Sequence, residues 1–218
     1  MQQREYQGAV TRRRKKLEPD PAVSACIIDA GVDVVQEHGV AALNLTAVLT
    51  RTNLSTRAFY RHFESMDDLI RAVFVHLARA ETQRIRIRMA AAANPAEAVS
   101  CWIDARLDLA FDQPNMAGQR HASREAESLM FASPDTVSAA FEELIQPLIE
   151  QLEMGSEVSL FDDIDPAVEA ESIHGVVWAC VHRHWDGGSG SGADVRRRVK
   201  RFCLRGLAVP DDVIARHT

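Results

Sequence analysis

Apolar residues recur along this chain every three or four positions, and that spacing predicts helices. Val23, Ile27, Ala30 and Val34 form one stripe, Trp102, Ala105 and Leu109 a second, and Val137, Phe141, Leu144 and Leu148 a third. Each stripe follows the same punctuation, a short polar residue directly before proline: Asp20-Pro21, Asn94-Pro95, Ser133-Pro134, and again at Asp165-Pro166. The polar side chain can accept from the orphan amides of a first turn, and proline there gives up an N–H that had no partner. Stops are expected at Gly39, at Asp112-Gln113-Pro114, at Gly155 and at Gly187-Gly188. Strand-like alternation is confined to short pieces such as residues 157–161, read as loop. Residues 187–192 (GGSGSG) read as a flexible connection. The pattern predicts an all-α chain of about nine helices.

Residues 39–70 (GVAALNLTAVLTRTNLSTRAFYRHFESMDDLI) hold three shorter helices. Asn44 caps one that runs to Thr52, and Ser55 caps a second that ends near Phe63. Ser65 caps a third, with Asp68 completing a capping box. The link between the first two is Asn53-Leu54, the length of a tight helix-turn-helix, and asparagine tolerates the left-handed backbone such a turn needs. Leu45, Val48, Leu49, Leu54, Ala58 and Phe59 would form the shared core, leaving Thr56, Arg57, Tyr60 and Arg61 on the outer face. That face suits the major groove. Arginine can fork onto guanine, threonine can meet a thymine methyl, and tyrosine or histidine can hold phosphates, as can the helix N-terminus at Ser55. On chemistry alone, a solvated polar face that touches nothing remains a live alternative.

The run Gly39, Asn44-Leu45, Val48-Leu49 and Asn53 through Phe63 resembles the N-terminal domain of the tetracycline-repressor (TetR) family. The serine, the Phe59-Tyr60 pair and the closing His62-Phe63 fall at that family's spacing, over about fifty residues from Pro21 to Phe74. The resemblance implies an N-terminal three-helix helix-turn-helix domain and a larger helical ligand-binding and dimerisation domain. It implies a repressor that binds a palindromic operator in double-stranded DNA as a homodimer and is released by a small apolar or amphipathic effector. Asn44, Thr46, Ser55, Thr56, Arg57, Tyr60, Arg61 and His62 are the expected DNA contacts. The chain departs from the family at the turn, where Thr52-Asn53 replaces Ala-Gly, at Leu49, which replaces an alanine, and at Met66. Met66 stands where the family commonly has a lysine that holds a phosphate.

Charge divides the chain in the same place. Residues 1–79 carry a net +2 and residues 80–218 a net −8, within an overall −6. Five consecutive cations, Arg12 to Lys16, suggest that only the first part meets a polyanion, although a solvated basic arm reads the same way. The expected organisation is a flexible basic arm over 1–19, the helix-turn-helix domain over 20–66, and the ligand-binding and dimerisation domain over 67–218. No apolar run is long enough to span a bilayer and no secretory signal is recognisable, so a cytoplasmic chain without membrane contact is expected. The four cysteines lack CxxC spacing and read as reduced, buried thiols. His182 and His184, two apart on a helix, point to different sides and do not suggest a metal site. No cofactor is expected.

In the C-terminal part, large apolar residues with polar neighbours are the candidate pocket: Trp102, Arg106, Phe111, Met116, His121, Met130, Phe141 and Trp178. Plain core is the competing reading for each. Two stripes, Ala170, Ile173, Val177 and Val181, then Val195, Val199 and Phe202, would suit a four-helix seam between subunits through the last two helices. Three function classes follow: a ligand-released repressor, a regulator of the same fold answering to a protein partner, and a helical enzyme. The third finds no phosphate loop, nucleophile elbow or HExxH helix, so no enzyme is expected.

Deleting residues 1–16 is expected to flatten the dependence of log affinity for DNA on log salt, because up to five counterion-releasing cations go with them. An unchanged slope in a salt titration would show that the arm makes no contact.

Overall fold

A computed structural model of the chain describes residues 20–188 and 190–217, with side chains for all of these except 113–117, 119, 127, 130–132 and 217. The basic arm expected over 1–19 lies outside the described residues. Ten α-helices follow in order, with no strand among the described residues. They are α1 (Pro21–His38), α2 (Leu45–Thr52), α3 (Thr56–His62), α4 (Met66–Met89), α5 (Pro95–Phe111), α6 (Gln113–Ala132), α7 (Pro134–Glu157), α8 (Pro166–Trp185), α9 (Gly192–Gly206) and α10 (Asp211–His217). A single 3-10 turn, Val40–Ala42, joins α1 to α2.

All four polar-proline pairs begin helices: α1, α5, α7 and α8. Asp20, Asn94 and Asp165 cap through their side chains, whereas Ser133 makes no side-chain cap and its carbonyl accepts from the Thr136 amide. Three sequence expectations need correction. Gly155 does not stop α7, which runs two residues further; a Cβ there would lie 2.1 Å from the Phe161 ring, so the glycine makes room for a buried aromatic. The glycine-serine stretch is partly folded, since Ser191 caps α9 at the Asp194 amide and Gly192 opens the helix against Phe111. A tenth helix, announced by Pro210-Asp211-Asp212, buries Ile214 against the core of the last bundle.

Three apolar clusters lie along α4. Its first turns give Leu69 and Val73 to the helix-turn-helix core, with Ile27, Val34, Val48, Phe59 and Ala122 of α6. Phe74 packs with Val137 and Ala140 of α7. The last turns give Ile85 and Met89 to a larger core built mainly from α5, α7, α8 and α9. α1 can lie this close because Gly31 has no Cβ; one would sit 2.6 Å from Val73 Cγ2.

The two stripes assigned to a seam between subunits are instead spent inside one. Ala170, Ile173, Val177, Val181 and Val199 are buried in the subunit's own core, and of that set only Phe202 is largely exposed, at 64%. The apolar periodicity was real, but a core face and an interface face have the same period.

α7 contains Pro147 in its interior and continues through it. Proline has no N–H to donate to the carbonyl four residues back, which belongs to Glu143. The buried Thr82 hydroxyl of α4 donates to that carbonyl at 3.0 Å, so a defect in one helix becomes a tie to its neighbour. Thr82→Val is therefore expected to cost about 1–3 kcal/mol, the price of a buried acceptor left without a donor. Pro147→Ala restores an amide to Glu143, and on that background the Thr82→Val cost should shrink. Equal costs on both backgrounds, measured by denaturant unfolding, would show that Thr82 does not serve the orphan carbonyl.

Candidate nucleic-acid interface and effector cavity

Helices α2 and α3 are short, and each is held at its start by its own sequence. Asn44 Oδ1 accepts from the Ala47 amide at 3.0 Å, and Ser55 Oγ from the Ala58 amide at 3.2 Å. Asn53 takes φ 53° and ψ 31°, the left-handed conformation the turn requires. At the next start, Ser65 Oγ accepts from the Asp68 amide while Asp68 reaches back to the amide of Glu64, one residue before the cap. Phe59 and Phe63 face inward with ring centroids 5.7 Å apart, and Phe59 is fully buried, which fixes the rotation of α3 about its axis.

That rotation leaves Thr56, Arg57, Tyr60 and Arg61 exposed. Neither arginine forms an ion pair among the described residues, so both guanidiniums keep their donors for an outside acceptor. Asn44, Thr46 and Ser55 are exposed at the N-terminal ends of the two helices. His62 differs from the rest of the set. It is half-buried, with Nδ1 3.0 Å from Ser24 Oγ of α1, so one ring nitrogen is committed to holding α3 against α1.

In the C-terminal part a cavity of about 450 Å³ lies among α4, α5, α6, α7 and α8. Phe74, Leu77, Leu109, Val137, Phe141 and Leu144 supply most of its apolar wall, and Trp178 closes one side. Polar atoms enter from Glu81, Arg106, Ser123 and His174. Arg106 and Glu81 are each 4% exposed, with Arg106 Nη1 3.3 Å from Glu81 Oε1. Burial opposes the charge on Arg106, and Glu81 beside it supports that charge. Burial, reinforced by Arg106, pushes His174 down to about 3, so its imidazole is neutral. The ring stacks on Trp178 at 5.9 Å and meets Phe141 edge-on at 5.0 Å.

Residues 27–73 match the family model for bacterial regulatory proteins of the tetR family. That match lies within the helix-turn-helix domain, so the likeness in sequence is to the family's N-terminal domain. An HTH-type transcriptional repressor of Mycobacterium tuberculosis is 34% identical over 67 residues, 31% of this chain and 36% of that protein. The match thus spans little more than a third of the curated relatives' length. Solved structures extend the likeness in fold to most of the chain. FadR from Bacillus subtilis, in complex with stearoyl-CoA, aligns over 84% of this chain and 98% of that one, with a TM-score of 0.61 at 14% identity. A transcriptional regulator from Saccharomonospora viridis in complex with choline aligns over 84% and 96%, with a TM-score of 0.62 at 14% identity. The relatives named are transcription regulators, not enzymes.

Within this fold the expected pocket residues separate. Arg106, Phe141 and Trp178 line the cavity together. Trp102 does not; it is fully buried behind the wall, its indole N–H donating to the Leu144 carbonyl at 3.4 Å. Phe111 packs away from it, against His184 at 4.5 Å and over Gly192. His121 turns toward the helix-turn-helix domain, its Nε2 close to Gly39, where a Cβ would sit 3.0 Å from it. The side chains of Met116 and Met130 lie outside the described residues. Sequence reading missed Glu81 and His174. The signal for Glu81 was present: it interrupts the α4 stripe of Phe74, Ala78 and Ile85, as Arg106 interrupts that of α5.

α6 connects the two sites. Ser123 and Ala126 line the cavity, Ala122 belongs to the helix-turn-helix core, and Glu125 Oε2 accepts from the Val40 amide at 3.2 Å, just beyond α1. Among the described residues no group of three or more His, Cys, Asp or Glu could hold a metal ion, and no helix is long and apolar enough to cross a membrane.

Arg57→Ala and Arg61→Ala are each expected to weaken specific DNA binding by ~1–3 kcal/mol while leaving thermal stability unchanged, since both side chains stand clear of the core. Tyr60→Phe should weaken binding to all sequences alike if its hydroxyl holds a phosphate. Anisotropy titrations in which all three variants match the wild type would remove α3 from the interface.

Proposed function

We propose that the chain is a transcription repressor whose dimer reads a palindromic operator through α3 and lets go when a small molecule enters the cavity. The observation that carries this reading is the pairing of an exposed, capped reading helix with an apolar cavity, both served by α4 and α6. In the proposed complex Arg57, Arg61 and Thr56 meet base edges. Tyr60, Asn44, Thr46 and Ser55 hold phosphates, with the free amides at the start of α3 assisting. His62 acts indirectly, by tying α3 to α1. Met66 brings no charge to the start of α4, leaving the basic arm to supply any flanking cation. A regulator answering only to a protein partner would have no use for a cavity that size, which falls within the ~300–1,000 Å³ range of small-molecule sites.

The dimer face proposed here lies on the outer side of α8 and α9. Val168, Ser172, Gly175 and Ala179 follow one another at spacings of four, three and four on the exposed face of α8, and Phe202 and Gly206 are exposed on α9. Small residues let two helices approach closely, and a large exposed phenylalanine beside them needs a cover.

Selection of bound fragments from genomic DNA tests the reading, with an inverted repeat as the expected result; half-sites should lie about one helical turn apart, ~34–36 Å, or where the DNA bends to meet them. Gly175→Glu isolates the dimer. Nothing lies within 4 Å of a Cβ at Gly175, so the subunit should fold normally. Two glutamates facing each other in the seam should yield monomers in sedimentation and a collapse of operator affinity. A Gly175→Glu protein that stays dimeric would place the interface elsewhere.

A further inference from the structure

Two guanidiniums share one carboxylate at the cavity wall, unequally. Arg84 holds Glu81 with a fork, Nε at 3.1 Å from Oε2 and Nη2 at 2.8 Å from Oε1. Arg106 makes only the longer single contact, at 3.3 Å, to the oxygen that Arg84 already uses. Relief from the next acid is also spoken for. Asp108 is engaged by Arg84, Arg88 and Arg196, and Asp104 by Arg196 and Lys200. Along this run of contacts five cations meet three carboxylates, and the most buried cation, Arg106, has the weakest share. Among the described residues its Nε is buried with no hydrogen-bond partner. A donor on a charged, buried group is costly to leave unmatched, and an anionic acceptor satisfies it best.

A second unmatched atom lines the same cavity. His174 Nδ1 is buried without a partner among the described residues, on a ring held between Trp178 and Phe141. The imidazole is neutral, so it adds a hydrogen-bonding position without a second charge. Apart from Ser123, the rest of the described wall is apolar or aromatic. Similarity does not choose the ligand, because two neighbours of equal identity hold molecules as different as choline and stearoyl-CoA. The residues of this chain do. A quaternary ammonium would enter beside an under-compensated guanidinium, and a neutral molecule would leave its excess charge uncovered.

We propose that the cavity takes an apolar monocarboxylic acid, its carboxylate on the Arg106 Nε–H beside His174 and its body between Phe141, Trp178 and Leu77. This rests on the reading of the cavity as the effector site. The carboxylate gains a charge-assisted bond, and the body replaces water in an apolar chamber.

The test measures binding to the wild-type protein by calorimetry, using straight-chain and phenyl-terminated monocarboxylates of six to twelve carbons. Alcohols and trimethylammonium salts of matching length serve as controls. At least one carboxylate should bind ten-fold or more tightly than its alcohol, and the ammonium salts should bind no better than the alcohols. Arg106→Met should abolish the preference for carboxylate while alcohol binding persists. Arg106→Lys, which keeps the charge but loses the Nε–H, should retain part of it and covers the case in which the methionine variant does not fold. Alcohols or ammonium salts that match or exceed the carboxylates overturn the proposal, as does failure of every carboxylate to bind. The same ligands are then added to the protein–operator complex. Carboxylates that bind without releasing operator leave the ligand class standing and remove the effector reading. Release by a ligand of another class does the reverse.

Discussion

Helix α4 gives its first turns to the helix-turn-helix core and its last turns to the core of the C-terminal bundle, and one continuous rod has to satisfy both. Its 24 residues span about 36 Å, so the two cores are separated by a fixed length of helix rather than a linker. Between them lies the stretch from Phe74 to Glu81 that walls the cavity. In the proposed mechanism a ligand pressing on that stretch would push on a rod whose far end carries Leu69 and Val73, against which α1 is packed with no room for a Cβ at Gly31. α6 adds a second link through Ala122 and Glu125. The positions of α2 and α3 are thereby set by contacts made more than one helix away.

Stability and function meet at the same residues. Thr82 spans α4 and α7 to serve the carbonyl that Pro147 leaves without a donor, one position from the charged wall formed by Glu81 and Arg106. Breaking a buried ion pair costs on the order of 3–5 kcal/mol, whereas replacing both partners by apolar groups is often neutral. The pair is therefore weak evidence for stability in its own right. A charged wall inside an apolar chamber makes better sense as a means of choosing what enters.

Much of the N-terminal domain was legible in the sequence because its signals are local. Asn44, Ser55 and Ser65 each cap the helix that follows, Asn53 takes the left-handed turn, and Phe59 faces inward, leaving Tyr60 out. Such features need only neighbours in the chain. The cavity needed neighbours far apart. Trp102 and Phe111 look like pocket residues on paper, and only the packing of α7 and α9 shows that the first is walled off and the second covered. The inter-subunit stripes failed for a related reason: Val177 and Val199 carry the right period, but periodicity cannot say whether the partner is the same subunit or another. Gly155 read as a stop because a glycine near a helix end and a glycine under an aromatic ring are the same letter.

The proposed mechanism requires cavity and reading helix to be mechanically joined. The most direct measurement is the spin–spin distance between the two helix-turn-helix domains of the proposed dimer, with a label at Glu64→Cys, an exposed position just past α3 outside the proposed DNA contacts, on a background without accessible cysteines. Bound to operator, the distribution should be narrow and centred at a separation set by one turn of DNA, ~34–36 Å between half-sites. Addition of an effector that fills the cavity should move its centre by more than its width. A distribution that stays in place while calorimetry shows the ligand bound would contradict the claim.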